Sequence, residues 1–133
     1  MRYLTWVRGS ENQGMPPQAL FDAMDKYVAK SLKSGVLVDT GGLAPSADGF
    51  RIRMAKGKLK KIDGPFTEAK EVIGGYAVIN VNSHEEALAV ANEFMDLHVK
   101  HWPEFEGESE VRQIMDLPML ENAKTEASAS GRA

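Results

Sequence analysis

Two amphipathic helical patterns, each flanked by stretches with strand character, are the feature that most constrains how this chain can fold. In the first, apolar residues recur at steps of three and four between Leu20 and Leu32, and charged residues fill the other side. The second opens with the capping box Ser83-x-x-Glu86, and Pro103 ends it at the latest. Each helix has one apolar stripe to bury against strands, which indicates an α+β fold.

Six stretches around the helical patterns are rich in β-branched, aromatic or alternating apolar residues, as strands are. A Gly-containing segment from Thr40 to Pro45 is expected to break the second of them. The order of the elements predicts a split βαβ, ferredoxin-like sheet. The strands are predicted to begin near Tyr3, Val36, Phe50, Lys58, Tyr76 and Ser109.

The predicted strands carry apolar side chains on both faces, although two helices can cover only one face of such a sheet. An uncovered apolar face calls for a partner, and a second copy of the chain is the simplest one. We therefore predict a homodimer whose sheets pack face to face.

Length and charge bound the possible functions. The chain has 133 residues, which suits one domain; we predict a domain over residues 1–118 and a flexible tail over residues 119–133. The net charge of −3 argues against a nucleic-acid-binding protein, and the absence of cysteine excludes disulfides and thiolate metal sites. No apolar run approaches the ~18 residues of a membrane span. Because residues 1–20 also lack the pattern of a signal peptide, we expect a cytoplasmic protein with no membrane partner.

The loop Asp63-Gly64-Pro65-Phe66, followed by Gly74-Gly75-Tyr76, closely resembles the DGPF signature of the YCII-related (YciI-like) proteins. The resemblance extends from Tyr3 to about Leu117. It implies a dimeric α+β barrel built from ferredoxin-like protomers, and it implies no established reaction. Some DGPF proteins are genomic neighbours of extracytoplasmic-function sigma factors, which suggests a regulatory link for the family.

The resemblance also bears on a His–Asp pair proposed to be catalytic in the YciI branch. The histidine is expected in the first helix, which has none in this chain; Tyr27 lies in the matching region. Asp39, after the second strand, could match the acidic partner. A lone aspartate puts that acid–base pair in doubt here.

Asp63 has two interpretations. Its carboxylate can accept backbone amides two or three residues on and so fix the turn. Alternatively, it lies at the mouth of a cavity and acts as a base or a ligand. If the protein is an enzyme, the hypothesis is that Asp63 or Asp39 acts as general base and His101 as general acid.

A second group of residues could bind a small molecule near this loop. Lys70, positioned by Glu71, could contact an anion, although the pair is equally typical of a solvated surface. Arg51 and Arg53 share one strand face and would bind a carboxylate or phosphate if that face lines a dimer cavity. Phe66 and Tyr76 are candidates for ligand contact as well as for packing.

His98 and His101 lie three residues apart near a helix end, which could place both on one face. Together with Glu104 or Asp96 they could hold a divalent metal, but the third ligand is unassigned and helical zinc pairs are usually four residues apart. Histidines near a helix C-terminus also interact favourably with the helix dipole. We therefore predict no metal site, and the sequence identifies no cofactor.

Three functional hypotheses follow. The first is a homodimeric small-molecule-binding module, with a cavity near the DGPF loop and a regulatory role as an option. The second is a small enzyme that uses the acid–base residues named above. The third is a protein-interaction subunit whose partner covers the Lys-rich hairpin or the tail over residues 119–133.

Overall fold

The structure is a computed structural model that describes residues 1–66 and 72–129. Short 3₁₀ helices at Glu11–Gln13 and Ser46–Asp48 lie in two of its loops. The strands and helices in chain order are β1 (Arg2–Gly9), α1 (Gln18–Ser34), β2 (Leu37–Gly42), β3 (Phe50–Ala55), β4 (Lys58–Asp63), β5 (Val72–Asn80), α2 (His84–His101), β6 (Gly107–Gln113) and α3 (Pro118–Ala129).

Four strands form one antiparallel sheet in the order β2-β5-β1-β6, and β3 pairs with β4 in a separate two-stranded hairpin. Strands β1 and β2 are joined through α1 but are separated in the sheet by β5, which is the split βαβ arrangement. The predicted α+β class is therefore confirmed, and the strand order is compatible with a ferredoxin-like fold.

Helices α1 and α2 pack on one face of the sheet. The core there is small and centres on Tyr3, Leu37, Ile79 and Ala87, all of which are buried. Since Tyr3 pairs with Ile79, and side chains alternate along a strand, Leu4 and its neighbours on the other face point away from the helices.

The helix ends follow the sequence signals closely. Gly35 ends α1 at φ 83°, the left-handed conformation that glycine adopts without strain. Ser83 caps α2 by accepting a hydrogen bond from the backbone N–H of Glu86, as predicted. The Glu86 carboxylate, however, accepts the backbone N–H of Asn82 (2.8 Å). In a standard capping box it would accept the N–H of the N-cap residue, Ser83, instead.

Two strands are longer than the sequence indicates. Strand β2 continues through Gly41 and Gly42, so the predicted break at Thr40 is wrong. The two glycines stay in the strand because they pair with Tyr76 and Gly75 of β5. Strand β5 begins at Val72, and the register against β1 shifts at the Gly74 position, which makes that glycine part of a β-bulge.

The hairpin β3–β4 presents one apolar face to solvent. By the strand register, Phe50, Ile52, Met54 and Leu59 share this face with Lys61 and Asp63, and all six are exposed. Isolated two-stranded hairpins are marginally stable in water. The face is therefore a candidate for burial by another surface.

Helix α3 occupies part of the segment predicted to be a flexible tail. Its residues 118–128 are all exposed. The mobility of the segment and the domain boundary at residue 118 stay predictions. No helix within the described residues is both long enough and apolar enough to cross a membrane.

Candidate functional site

A cavity of about 980 Å³ lies between the sheet and the two packed helices. It occupies the end of the sheet where β1 and β2 finish and β5 and β6 begin, as the pairing of Gly9 with Val72 and Gly107 shows. The small core lies toward the other end. The lining of the cavity is mostly apolar, with Met24 and Val28 from α1, Val90 and Phe94 from α2, and Ala77 from the sheet.

A row of aromatic rings forms the wall of the cavity at the end of α2. The ring of His98 lies 5.2 Å from those of both Phe94 and Phe105, and Trp102 lies 4.9 Å from Phe105. All four line the cavity. Because Phe94, His98 and Trp102 are four residues apart, the helix places them on one face.

His98 is the one buried titratable side chain among the described residues that line the cavity. Burial lowers the pKa of its imidazole, and the nearby Phe94 carbonyl opposes this only in part. The ring is consequently neutral at physiological pH. Its Nδ1 lies 3.2 Å from the backbone oxygen of Phe94.

Tyr27 occupies the region of α1 where the resemblance would place a catalytic histidine. Its hydroxyl hydrogen-bonds to a Glu93 carboxylate oxygen (3.0 Å) and to the Val90 carbonyl (3.3 Å), and so joins α1 to α2. Burial is the main cause that raises the pKa of this phenol, and the Glu93 carboxylate raises it further. Tyr27 therefore stays protonated and holds the two helices together beside the cavity.

The loop from Asp63 to Phe66 is tied to the cavity mouth through buried Ser46. The Ser46 hydroxyl accepts the backbone N–H of Phe66 (3.2 Å) and donates to the Glu11 carboxylate (2.5 Å). Glu11 also accepts the backbone N–H of Ser46 (2.7 Å), and these two hydrogen bonds lower the pKa of its carboxyl. Glu11 and Pro45 both line the cavity, so the motif is linked to its rim.

Gln13 makes the matching connection to the loop after α2. Its side-chain amide accepts the backbone N–H of Glu106 (2.7 Å) and donates to the Glu106 carbonyl (2.7 Å). The loop that it holds carries Phe105 and, at its start, Trp102. The 3₁₀ helix Glu11–Gln13 thus ties two loops of the cavity mouth to β1.

Asp63 does not fix its turn in the predicted way. The backbone N–H of Gly64 donates to the Gly49 carbonyl, and that of Phe66 donates to Ser46. The Asp63 side chain is 74% exposed and forms an ion pair with Lys61 at 3.3 Å. A pair so exposed contributes little to stability. Ser46 rather than Asp63 therefore secures the turn.

The remaining predicted residues of the hairpin form their own contact. The Arg51 guanidinium lies 3.7 Å from the centre of the Phe66 ring, a cation–π interaction. Arg53 is exposed and lies opposite Lys60 in the β3–β4 register. None of these three lines the cavity within the described chain, and their ligand role stays a prediction.

Among the predicted site residues that the structure describes, Tyr76 lines the cavity, and the β1–β5 register places its side chain on the face of the sheet that points away from the helices. Its hydroxyl lies 3.3 Å from a carboxylate oxygen of Asp39, whose other oxygen accepts the backbone N–H of Thr40. The Tyr76 ring also covers Gly41, where an added Cβ would approach ring carbon Cε1 to 3.0 Å. Asp39 is exposed and shares the face of the sheet that points away from the helices.

The structure does not bring the three predicted acid–base residues together. Asp63 ends the hairpin, Asp39 lies on the far side of the sheet, and His101 ends α2. Lys70 and Glu71 lie outside the described residues. Among the residues that the structure does describe, no group of three or more His, Asp or Glu side chains could hold a metal ion.

A sequence profile of the YCII-related domain matches residues 1–95. The chain belongs to the YCII-related family. The match spans β1 through most of α2 and so includes the sheet-side wall of the cavity. Among curated proteins, none is significantly similar to the chain.

For this YCII-related protein, sequence reasoning missed the cavity wall. The sequence leaves His98 as a metal ligand or a partner of the helix dipole, and it places Tyr27 in the region where the resemblance expects a histidine. The four-residue spacing of Phe94, His98 and Trp102 carried the signal, because it places one polar ring among aromatic neighbours on a single helix face.

Proposed function

We propose that this YCII-related protein is a small-molecule-binding module that binds its ligand in the cavity between the sheet and helices α1 and α2. The observation that carries the proposal is the cavity itself. Its volume of about 980 Å³ and mostly apolar lining match the pockets of about 300–1,000 Å³ in which proteins bind small ligands. The cavity also adjoins the Asp63–Phe66 loop, through Ser46 and Glu11.

The same geometry favours binding over catalysis. The candidate acid–base residues Asp63, Asp39 and His101 belong to three separate parts of the molecule. His98, the buried titratable group of the cavity wall, has aromatic rings as its neighbours. We assign the protein to the DGPF branch on its Asp-Gly-Pro-Phe loop, and a regulatory role is compatible with binding without turnover.

The proposal extends to a homodimer that takes the form of an α+β barrel. Two surfaces support the dimer. One is the exposed apolar face of the hairpin. The other is the face of the sheet that the helices do not cover, which carries Leu4, Trp6 and Val78. A second copy that covers these surfaces would remove them from water. Most of the cavity lies on the helix-covered face, but its lining also includes Trp6 and Tyr76, which the β1–β5 register places on the face that such a dimer would cover.

Filling the cavity tests the binding proposal. Ala91 on α2 lines the cavity, and Ala89 on the same helix is exposed and does not. Because a phenylalanine at position 91 would occupy ligand volume, we expect Ala91→Phe to weaken binding of an uncharged apolar dye, Nile red, by about tenfold or more, a change of ~1.4 kcal/mol. Fluorescence titration measures the affinity.

Ala89→Phe is the matched control and should bind the dye as the wild-type protein does. Circular dichroism and thermal unfolding of all three proteins establish that the variants are folded. Equal dye binding by wild type and Ala91→Phe, or no binding by the wild type to Nile red or to a set of small uncharged aromatic compounds, would contradict the proposal.

A further inference from the structure

The hydrogen bond of His98 to its own helix fixes which ring nitrogen carries the proton. A backbone carbonyl oxygen can only accept, so Nδ1, which lies 3.2 Å from the Phe94 oxygen, must be the donor. In a neutral imidazole the other nitrogen, Nε2, is then an acceptor with a free lone pair. Burial favours this neutral form, because it lowers the pKa of the ring.

Nε2 of His98 reaches open space. Within residues 1–66 and 72–129, no group donates a hydrogen bond to it. In this part of the chain, every buried side-chain nitrogen or oxygen has a hydrogen-bond partner. Because Nε2 has none, it is not buried. Because His98 lines the cavity, we infer that the space reached by Nε2 is the cavity. The wall therefore offers one acceptor among aromatic rings.

The charges around the cavity exclude one class of ligand. Its described lining contains no lysine or arginine, and its carboxylates are those of Glu11 and Asp25. A carboxylate or phosphate ligand would find no cationic partner there, and His98 resists protonation. Burying an unpaired anion is costly. The anion sites predicted at Arg51 and Arg53 lie on the hairpin, outside this cavity.

We infer that the cavity binds an uncharged aromatic molecule whose hydroxyl or N–H group donates a hydrogen bond to Nε2 of His98, with phenols as the simplest members of the class. The ring of the ligand packs against Phe94, Phe105 and Trp102. This assignment rests on the proposed binding function and names its ligand class and its polar anchor.

Three probes of similar size separate the contributions. 4-Propylphenol has the donor, 4-propylanisole replaces it with a methyl ether, and 4-propylbenzoate is an anion at pH 7.5. Isothermal titration calorimetry of the wild-type protein should give about tenfold tighter binding of the phenol than of the ether, as the loss of one buried hydrogen bond requires. The benzoate should bind more weakly than either.

Two variants locate the donor's partner. His98→Phe keeps an aromatic ring but removes the acceptor, so the preference for phenol over ether should fall to within about twofold. His84→Gln changes another histidine of α2 that lies outside the cavity lining and should keep the wild-type preference. The ¹⁵N chemical shift of Nε2 in wild type should move on addition of the phenol and not of the ether, which needs no variant to fold.

The outcomes separate the two proposals. If the ether binds wild type as tightly as the phenol, or if His98→Phe keeps the preference, the assignment of His98 as the anchor is wrong and the binding function stands. Tightest binding of the benzoate would overturn the uncharged ligand class in the same way. If neither uncharged probe binds, and Nile red does not bind either, the binding function itself is overturned.

Discussion

At the scale of single residues, His98 combines burial, a fixed proton and aromatic neighbours. Its nearest ring contacts, Phe94 and Phe105, are not titratable, so the environment disfavours the charged imidazolium. The unfolded chain has no such restriction and takes up a proton near the ordinary histidine pKa of 6.5. A buried neutral histidine therefore makes the stability of the protein depend on pH.

We predict that the free energy of unfolding falls as the pH decreases below about 6.5, because the unfolded state binds a proton that the folded state resists. The loss ends at the lower pKa of His98 in the folded protein, where both states are protonated. Urea unfolding from pH 7.5 to 4.5 measures it. Relative to wild type, His98→Phe should show a flatter dependence of the unfolding free energy on pH, with a slope smaller by at most one proton. Parallel curves for wild type and His98→Phe would mean that the histidine is not buried in a neutral form.

At the scale of elements, the Asp63–Phe66 loop acts as a junction. Gly64 approaches the backbone of Ser46 so closely that an added Cβ would overlap the Ser46 carbonyl oxygen. Gly49, which accepts the Gly64 N–H, has room: its added Cβ would lie 3.6 Å from the same oxygen. Glycine at position 64 therefore permits the close contact with the loop after β2.

We therefore expect Gly64→Ala to destabilise the protein by about 1–3 kcal/mol through overpacking, and Gly49→Ala to change stability by less than about 1 kcal/mol. Urea unfolding of the two variants and wild type supplies the comparison. If Gly64→Ala leaves the free energy of unfolding unchanged, the loop can move away from Ser46, and the proposal that the loop is a fixed junction is wrong.

Much of the fold is readable from the sequence because its elements carry local signals. The apolar stripe of α1, Gly35 at its end and Ser83 at the start of α2 each specify a boundary through nearby chemistry. The course of β2 through Gly41 and Gly42 was missed, because cross-strand pairing overrides the weak strand preference of glycine. The candidate site was found only in part, since Tyr76 and the link from Phe66 to the cavity mouth depend on contacts between residues far apart in sequence.

At the scale of the whole molecule, two surfaces of the structure differ in shape and exposure. The helix-covered side of the sheet contains most of the cavity, and the β3–β4 hairpin exposes apolar side chains. Phe50, Ile52, Met54 and Leu59 are between 55% and 73% exposed, an arrangement that favours association. We assign the first side to ligand binding and the second to contact with another copy of the chain.

A charge on the apolar face should prevent that contact. Ile52→Glu buries a carboxylate in the proposed interface, so we predict a monomer at concentrations where wild type is a dimer. Ala55→Glu introduces the same charge on the same strand but on the opposite face of the hairpin, and should remain dimeric. Size-exclusion chromatography with light scattering reports the mass. A monomeric wild type, or a dimeric Ile52→Glu protein, would contradict this assignment of the face.

The central claim is that the space between the sheet and helices α1 and α2 is a ligand site. A crystal structure of the wild-type protein soaked with 4-propylphenol tests it most directly. We predict density for the phenol between the sheet and Phe94, with the phenol hydroxyl within about 3 Å of His98 Nε2. Density for the phenol only on the outer surface, or a cavity filled by the protein's own side chains, would contradict it.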